Sequence, residues 1–140
     1  MTITAHDRTD LELAQAFAHA YRDADADVLR DVLAPGVRVR VLSPPGYEEF
    51  EGAEDLIAEL RGFHEQWQVD EVDSLEVELL AANRMQTGRM ARIVQRQRLR
   101  AAGADQTATM LVTHLIAIAD GRIALVDELC SGIMPAAASY

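Results

Sequence analysis

The stretch Met110-Leu111-Val112-Thr113-His114-Leu115-Ile116-Ala117-Ile118-Ala119-Asp120-Gly121-Arg122-Ile123-Ala124-Leu125-Val126-Asp127-Glu128-Leu129 decides the fold of this chain. Asp120-Gly121 between two apolar runs is a strong hairpin signal, because both residues tolerate the positive φ that such turns require. The run before it, Thr107 to Ile118, is apolar on both faces, as a central strand covered on both sides would be. Arg122 to Ser131 supplies the last strand. A histidine and an acidic pair therefore lie on neighbouring strands. A histidine inside an apolar strand costs free energy unless it is hydrogen-bonded. It is either a functional group or a core histidine bonded to an adjacent strand or a dimer mate.

Asp127 and Glu128 are adjacent, so they point to opposite faces of the sheet. The hairpin register decides which of them shares a face with His114. A loop made of Asp120 and Gly121 alone puts Asp127 opposite His114. A loop running from Ala119 to Gly121 puts Glu128 on that face, diagonal to the histidine.

The strand reading extends upstream. Leu75, Val77 and Leu79 alternate with Glu76 and Glu78, and a long segment from about Arg84 to Arg100 follows. Ala101 to Asp105 turns the chain. The first half reads helical. Thr9 and Glu12 stand at capping-box spacing, with Leu11, Ala14, Phe17, Ala18 and Tyr21 on one face beyond them. Asp25 can cap a short second helix that carries Val28, Leu29, Val32 and Leu33, and Ala34-Pro35-Gly36 stops it. Val37 to Val41 alternates strictly and reads as a strand. Ser43-Pro44-Pro45-Gly46 reads as a loop. A third helix runs from about Ala53 to Trp67, with Leu56, Leu60, Phe63 and Trp67 on its inner stripe. The order is three helices with one strand among them, then a four-strand antiparallel meander. That is an α+β domain with helices on one face of a curved antiparallel sheet.

The chain has 140 residues, one domain's worth, with 49% apolar and 26% charged residues. Its net charge of −10 opposes binding to nucleic acid or to anionic membrane surfaces. The arginines Arg92, Arg96, Arg98 and Arg100 share one parity and read as a solvated basic face. The single cysteine, Cys130, leaves no internal disulfide and no cysteine-based zinc site. No histidine and carboxylate trio has metal spacing, and Asp23, Asp25 and Asp27 lack the remaining ligands of a calcium loop. Neither a metal nor a cofactor is expected. The first residues carry no basic region followed by an apolar core, so a cytoplasmic protein is expected.

Three groups of residues, in this order and spacing, resemble the nuclear-transport-factor-two-like superfamily, and within it the SnoaL-like and ketosteroid-isomerase-like proteins. They are Phe17 to Leu33, Val37 to Gly52, and Asp120-Gly121-Arg122-Ile123 followed by Asp127-Glu128-Leu129. The resemblance implies a cone: a curved sheet wrapped around the long N-terminal helix, enclosing an apolar pocket for a small molecule. It also implies a homodimer through the outer sheet face. The positions that carry isomerase chemistry in that family fall on Phe17, Ser43 and His114, and all three are changed. The epoxide-hydrolase pattern falls on Arg96, Arg98 and Glu128, with its middle acid reversed in sign. The SnoaL-like cyclase pattern, an acid on the last strand and a histidine on the strand before, survives as Glu128 and His114, and its spacing favours Glu128 over Asp127.

The resemblance therefore implies a cofactor-independent cyclase or related isomerase or lyase. Glu128 and His114 would be its acid–base groups, and Arg96 would stabilise an anion. Phe17, Tyr21, Ser43, Tyr47 and Trp67 would contact the substrate. An epoxide-opening enzyme and a non-catalytic ligand-binding or assembly domain are the alternatives. Acid–base catalysis by the pair expects both His114 and Glu128 to face the cavity. A binding domain expects His114 buried against protein.

Overall fold

The computed structural model describes residues 9–80, 89–103 and 105–135. The expected start of the fourth strand near Arg84 lies outside the described residues. The elements are α1 (Asp10–Asp23), α2 (Ala26–Val32), β1 (Leu33–Ser43), β2 (Gly46–Glu51), α3 (Ala53–Gln66), β3 (Trp67–Leu79), β4 (Arg89–Ala101), β5 (Thr107–Ala119) and β6 (Arg122–Pro135). This is the expected α+β order with one addition.

The helix starts follow from capping. Thr9 Oγ1 accepts from the Glu12 amide at 3.1 Å, and the Glu12 carboxylate meets the Thr9 hydroxyl at 2.9 Å. Asp25 Oδ1 accepts from the Val28 amide at 3.3 Å and caps α2. Ala24 takes the left-handed conformation that ends α1. Ala34-Pro35-Gly36 does not form a separate turn. It lies within β1, where pairing with β6 skips from Leu33 to Arg38 because Pro35 has no N–H to contribute.

The six strands form one sheet in the order β2-β1-β6-β5-β4-β3. Strands β3 to β6 are the expected meander. The curved antiparallel sheet is as expected, with one parallel pairing in it, that of β1 with β6. The crossover that makes this possible spans α3 and the rest of the meander. β2 is a correction, since the sequence around Tyr47 reads as loop. Pro44 and Pro45 form a two-residue turn that pairs Ser43 with Gly46, and the chain returns along β1. Glu48, Glu49 and Glu51 are poor strand formers but suit an exposed edge, which charges protect from further pairing. Helix α3 packs against β1 and β2 and also against β3, which sit towards opposite ends of the sheet order. Helix α1 covers β3 and β4 as α3 covers β1 and β2, so the curved sheet wraps around the helices. Phe17, Leu29, Leu33, Ile57, Ile93, Leu99, Ile116 and Ile123 fill the closed part of this cone.

The register of the β5–β6 hairpin resolves the choice between Asp127 and Glu128. The turn contains only Asp120 and Gly121, so Ala119 faces Arg122 and Ile118 faces Ile123. Ala124 is then an extra residue: Ala117 pairs with Leu125, and His114 comes directly opposite Glu128. This β-bulge reverses the face of every later residue until the next irregularity. Glu128 turns inward. Asp127 turns outward, where Arg40 grips it at 2.5 and 2.6 Å. Deleting Ala124 should restore the unbulged register and leave His114 without its partner. A loss of at least about 1–3 kcal/mol is expected, the scale for stranding a buried polar group. Urea unfolding measures it, and unchanged stability would refute the bulge's role.

Candidate functional site

Alternation along β4 sends Arg92, Arg96, Arg98 and Arg100 outward and Ile93, Gln95, Gln97 and Leu99 inward. The inward face meets α1 and α3 around a cavity of about 630 Å³. Its wall is mostly apolar, with Val41, Phe50, Leu56, Leu60, Phe63, Met110 and Ile133 among the lining residues. Tyr21, Gln97 and Glu128 supply polar groups within it, and the Ser43–Gly46 turn and Tyr47 form part of its rim.

At the inner end, His114 Nε2 lies 2.9 Å from Glu128 Oε1. His114 is fully buried, with the rings of Phe17 and Tyr21 edge-on to it at 5.2 and 4.4 Å. Its Nδ1 meets no hydrogen-bond partner among the described residues. The network assigns the tautomer: a hydrogen on Nε2 is donated to Glu128, whereas one on Nδ1 would be a buried donor with nowhere to go. Tyr21, whose ring stands edge-on to His114, brings its hydroxyl towards the Glu128 carboxylate. Burial pushes the Glu128 carboxyl up, but the hydrogen bond from His114, with the Tyr21 hydroxyl nearby, outweighs it and holds it below the ordinary carboxylate range. Burial first, then the neighbouring Glu128 charge, keeps the Tyr21 hydroxyl protonated well past its usual range. Burial also pushes up the Cys130 thiol, which receives the Gly132 amide at 3.4 Å. The arrangement is an ionised carboxylate held by a histidine donor, with a tyrosine hydroxyl beside it, in the wall of an apolar cavity.

β6 carries a second irregularity, between the pairs Met110–Ile133 and Val112–Cys130. Ser131 Oγ takes the Leu111 amide there at 2.9 Å, replacing a ladder bond. Gly132 follows with a positive φ of 78°, and a Cβ at that position would lie 2.8 Å from Pro44 Cγ. The β1–β2 turn therefore rests on a place where only glycine fits.

A model of the SnoaL-like domain matches residues 14–126. The chain belongs to the SnoaL-like domain family. The match stops two residues short of Glu128, so it carries the fold and not the acid. Among solved structures, a candidate polyketide cyclase from Pseudomonas putida is 18% identical with a TM-score of 0.65, over 91% of each chain. An LEH-like epoxide hydrolase from M. tuberculosis is 16% identical with a TM-score of 0.57, over 86% of this chain and 81% of that one. A candidate ketosteroid isomerase from Kribbella flavida is 18% identical with a TM-score of 0.55, over 86% of this chain and 76% of that one. At these identities the likeness is one of fold, the nuclear-transport-factor-two-like fold. A search of curated proteins finds no match.

Within this SnoaL-like domain the expected site residues divide. Glu128, Tyr21, Ser43 and Tyr47 line the cavity, although the Ser43 hydroxyl is turned to the Gly46 carbonyl at 3.4 Å. Tyr47 belongs to β2 rather than to a loop and is 57% exposed. His114 and Phe17 stand behind Glu128 and Tyr21 and do not line the cavity, which corrects the expectation that His114 faces substrate. Arg96 is exposed on the outer face, because its parity on β4 is opposite to that of Gln95 and Gln97. It cannot stabilise an anion inside. Trp67 also misses the cavity. α3 ends at Gln66 and Trp67 is already extended, so the helical stripe does not carry it inward. The inward pair Gln95 and Gln97 was not anticipated, yet the alternation of arginine and glutamine from Gln95 to Arg98 contains the signal: arginines that must face water force the glutamines in.

The Glu128 value bears on stability. A carboxyl held lower in the folded chain than in the unfolded one adds stability above the ordinary carboxylate range and loses it as pH falls through the folded value. The advantage of the wild type over Glu128→Gln should be largest near neutral pH and shrink on acidification. Denaturation midpoints from pH 7 to pH 3 test this, and a pH-independent difference contradicts it.

Proposed function

We propose that this chain is a cofactor-independent acid–base enzyme for a small, largely apolar, polyketide-like substrate, acting by intramolecular ring closure or a related isomerisation or elimination. The supporting observation is Glu128, an acid lining an apolar cavity that is held by a hydrogen bond from His114 and has the Tyr21 hydroxyl beside it. The polyketide-cyclase, isomerase and epoxide-hydrolase neighbours agree with a cavity of this kind without choosing among reactions.

Glu128 takes a proton from a carbon beside a carbonyl, and an enolate forms. Because its carboxyl is held low it is a weak base, so the carbon must be doubly activated, as between two carbonyls. The Tyr21 O–H, which lines the cavity beside Glu128, donates to the enolate oxygen. The enolate carbon then attacks a second carbonyl of the same molecule, a C–C bond forms, and Glu128 returns the proton to the new alkoxide. His114 is a positioning residue here: it fixes the carboxylate and does not itself touch substrate. Epoxide opening is the less supported reaction, since Arg96 and Arg98, on which that pattern falls, face outward, and the cavity's lining arginine, Arg22, is bound to Asp23 at 2.8 Å. A non-catalytic binding domain is the second reading: the complete burial of His114 is what it expects and not what catalysis by the His114–Glu128 pair expects, so the acid–base reading stands on Glu128 alone.

Exchange separates these readings. A neutral aromatic β-keto ester in D₂O, followed by proton NMR, should exchange its activated hydrogen faster with the enzyme present. Glu128→Gln should lower that rate at least about 100-fold, within the range for general-base groups, with folding intact. Exchange that is equal in the variant eliminates the acid–base reading.

The setting we propose is natural-product biosynthesis in the cytoplasm, with the chain as a homodimer. No described helix is long and apolar enough to cross a membrane. The outer sheet face exposes Leu42, Leu111, Leu115 and Leu129 across β1, β5 and β6, an apolar patch that a second copy could cover. Sedimentation equilibrium at micromolar concentration should give twice the chain mass of 15.4 kDa; a monomer overturns the dimer.

A further inference from the structure

The inner face of β4 carries two amides in a place where hydrocarbon would pack as well. Gln95 and Gln97 are each 1% exposed. Gln95 Nε2 donates to the Ala18 carbonyl of α1 at 3.1 Å, which fixes its Oε1 on the side of Gln97. Gln97 Nε2 donates to that Oε1 at 3.2 Å. The relay runs from the long helix to Gln97 and sets that amide's orientation. It leaves Gln97 Oε1 and one amide hydrogen unused by other side chains among the described residues, and Gln97 lines the cavity.

The register fixes where this group stands relative to Glu128. Glu128 pairs with His114 and His114 with Ile93, whereas Gln97 pairs with Met110 and Met110 with Ile133. Gln97 is four residues beyond Ile93, about 13 Å along the strand. The two polar groups therefore serve opposite parts of one ligand, with apolar wall between them. The acidic and basic lining residues are Glu48, Glu59, Glu128, the Asp23-bound Arg22 and His64. Such a lining repels an anion and gives a remote carboxylate no partner.

We propose that Gln97 is a specificity-determining residue that hydrogen-bonds a neutral hydroxyl on the part of the substrate remote from Glu128, and that Gln95 orients it. A hydroxyl suits the unused pair of groups, since it can donate to Oε1 and accept the amide hydrogen. The proposal rests on the reading that the carbonyl end of the substrate lies at Glu128.

Three matched probes test it by titration calorimetry: 2-acetylnaphthalene, its 6-hydroxy derivative and its 6-carboxylate. The hydroxy ketone should bind about tenfold tighter than the parent, the scale of one good hydrogen bond in a buried site, and the carboxylate more weakly than the parent. In Gln97→Met the hydroxy ketone and the parent should become equal. Removing Gln97 alone strands Gln95, so the paired variant Gln95→Met and Gln97→Met, which deletes both ends of the bond, provides the same reading if the single variant does not fold. Glu128→Gln should keep the hydroxyl preference. A wild type without that preference, a preference that survives loss of Gln97, or failure of all three probes to bind overturns the proposal. If Glu128→Gln retains both the preference and full exchange of the β-keto ester, the acid–base reading fails and the role of Gln97 stands.

Discussion

The pairing of His114 with Glu128 across β5 and β6 is the constraint around which the closed end of the cone is arranged. Glu128 would be an isolated charge in a nonpolar wall without the donor His114, and such a charge is prohibitively expensive to bury. His114 in turn would be a polar ring among hydrocarbon without Glu128. Each makes the other tolerable, so replacing either by a hydrocarbon side chain would strand its partner. The cluster ties together three elements that meet nowhere else in this way: α1 through Tyr21 and Phe17, β5 through His114, and β6 through Glu128.

The same alternation that brings the acid inward organises the charge outside. Arg40–Asp127, Arg92–Glu78, Arg98–Glu71 and Arg100–Asp70 run over the outer face, each pair partly open to water. Pairs of that kind add little stability individually. Their effect is on register: a strand shifted by one residue would send arginines into the cavity and glutamines into water. The arginines on β4 thus specify which side of the strand is interior, and the apolar residues on β5 and β6 agree.

Much of this was readable before any coordinates. Thr9, Asp25 and Asp120-Gly121 mark boundaries through chemistry that acts within a few residues, and the structure places each where local rules put it. The meander followed from alternation in β3 to β5. What escaped depended on single-residue register or on distant partners. Nothing in Ile123-Ala124-Leu125 announces a bulge, because three small or apolar residues fit either face; the choice of Glu128 came from family spacing and not from the turn. Arg96 was placed inside by counting along a family pattern, and a slip of one residue on a strand exchanges inside for outside. β2 escaped because its pairing with β1, rather than its own composition, makes it a strand. Trp67 escaped because the helical period was extended one residue past the helix.

Gly132 gives β6 a further significance. Pro44, at the tip of the β1–β2 turn, sits against the one residue there that lacks a side chain, and Glu128 lies four residues upstream on the same strand. Doorway and acid therefore share a single short segment of chain. An insertion between them would move both, so the aperture and the chemistry of this fold cannot drift apart independently through changes in that segment. Variation in what the cavity admits is pushed instead onto residues that line the wall without belonging to β6, such as Phe50, Phe63 and Gln97, where a substitution reshapes the chamber and leaves the acid in register.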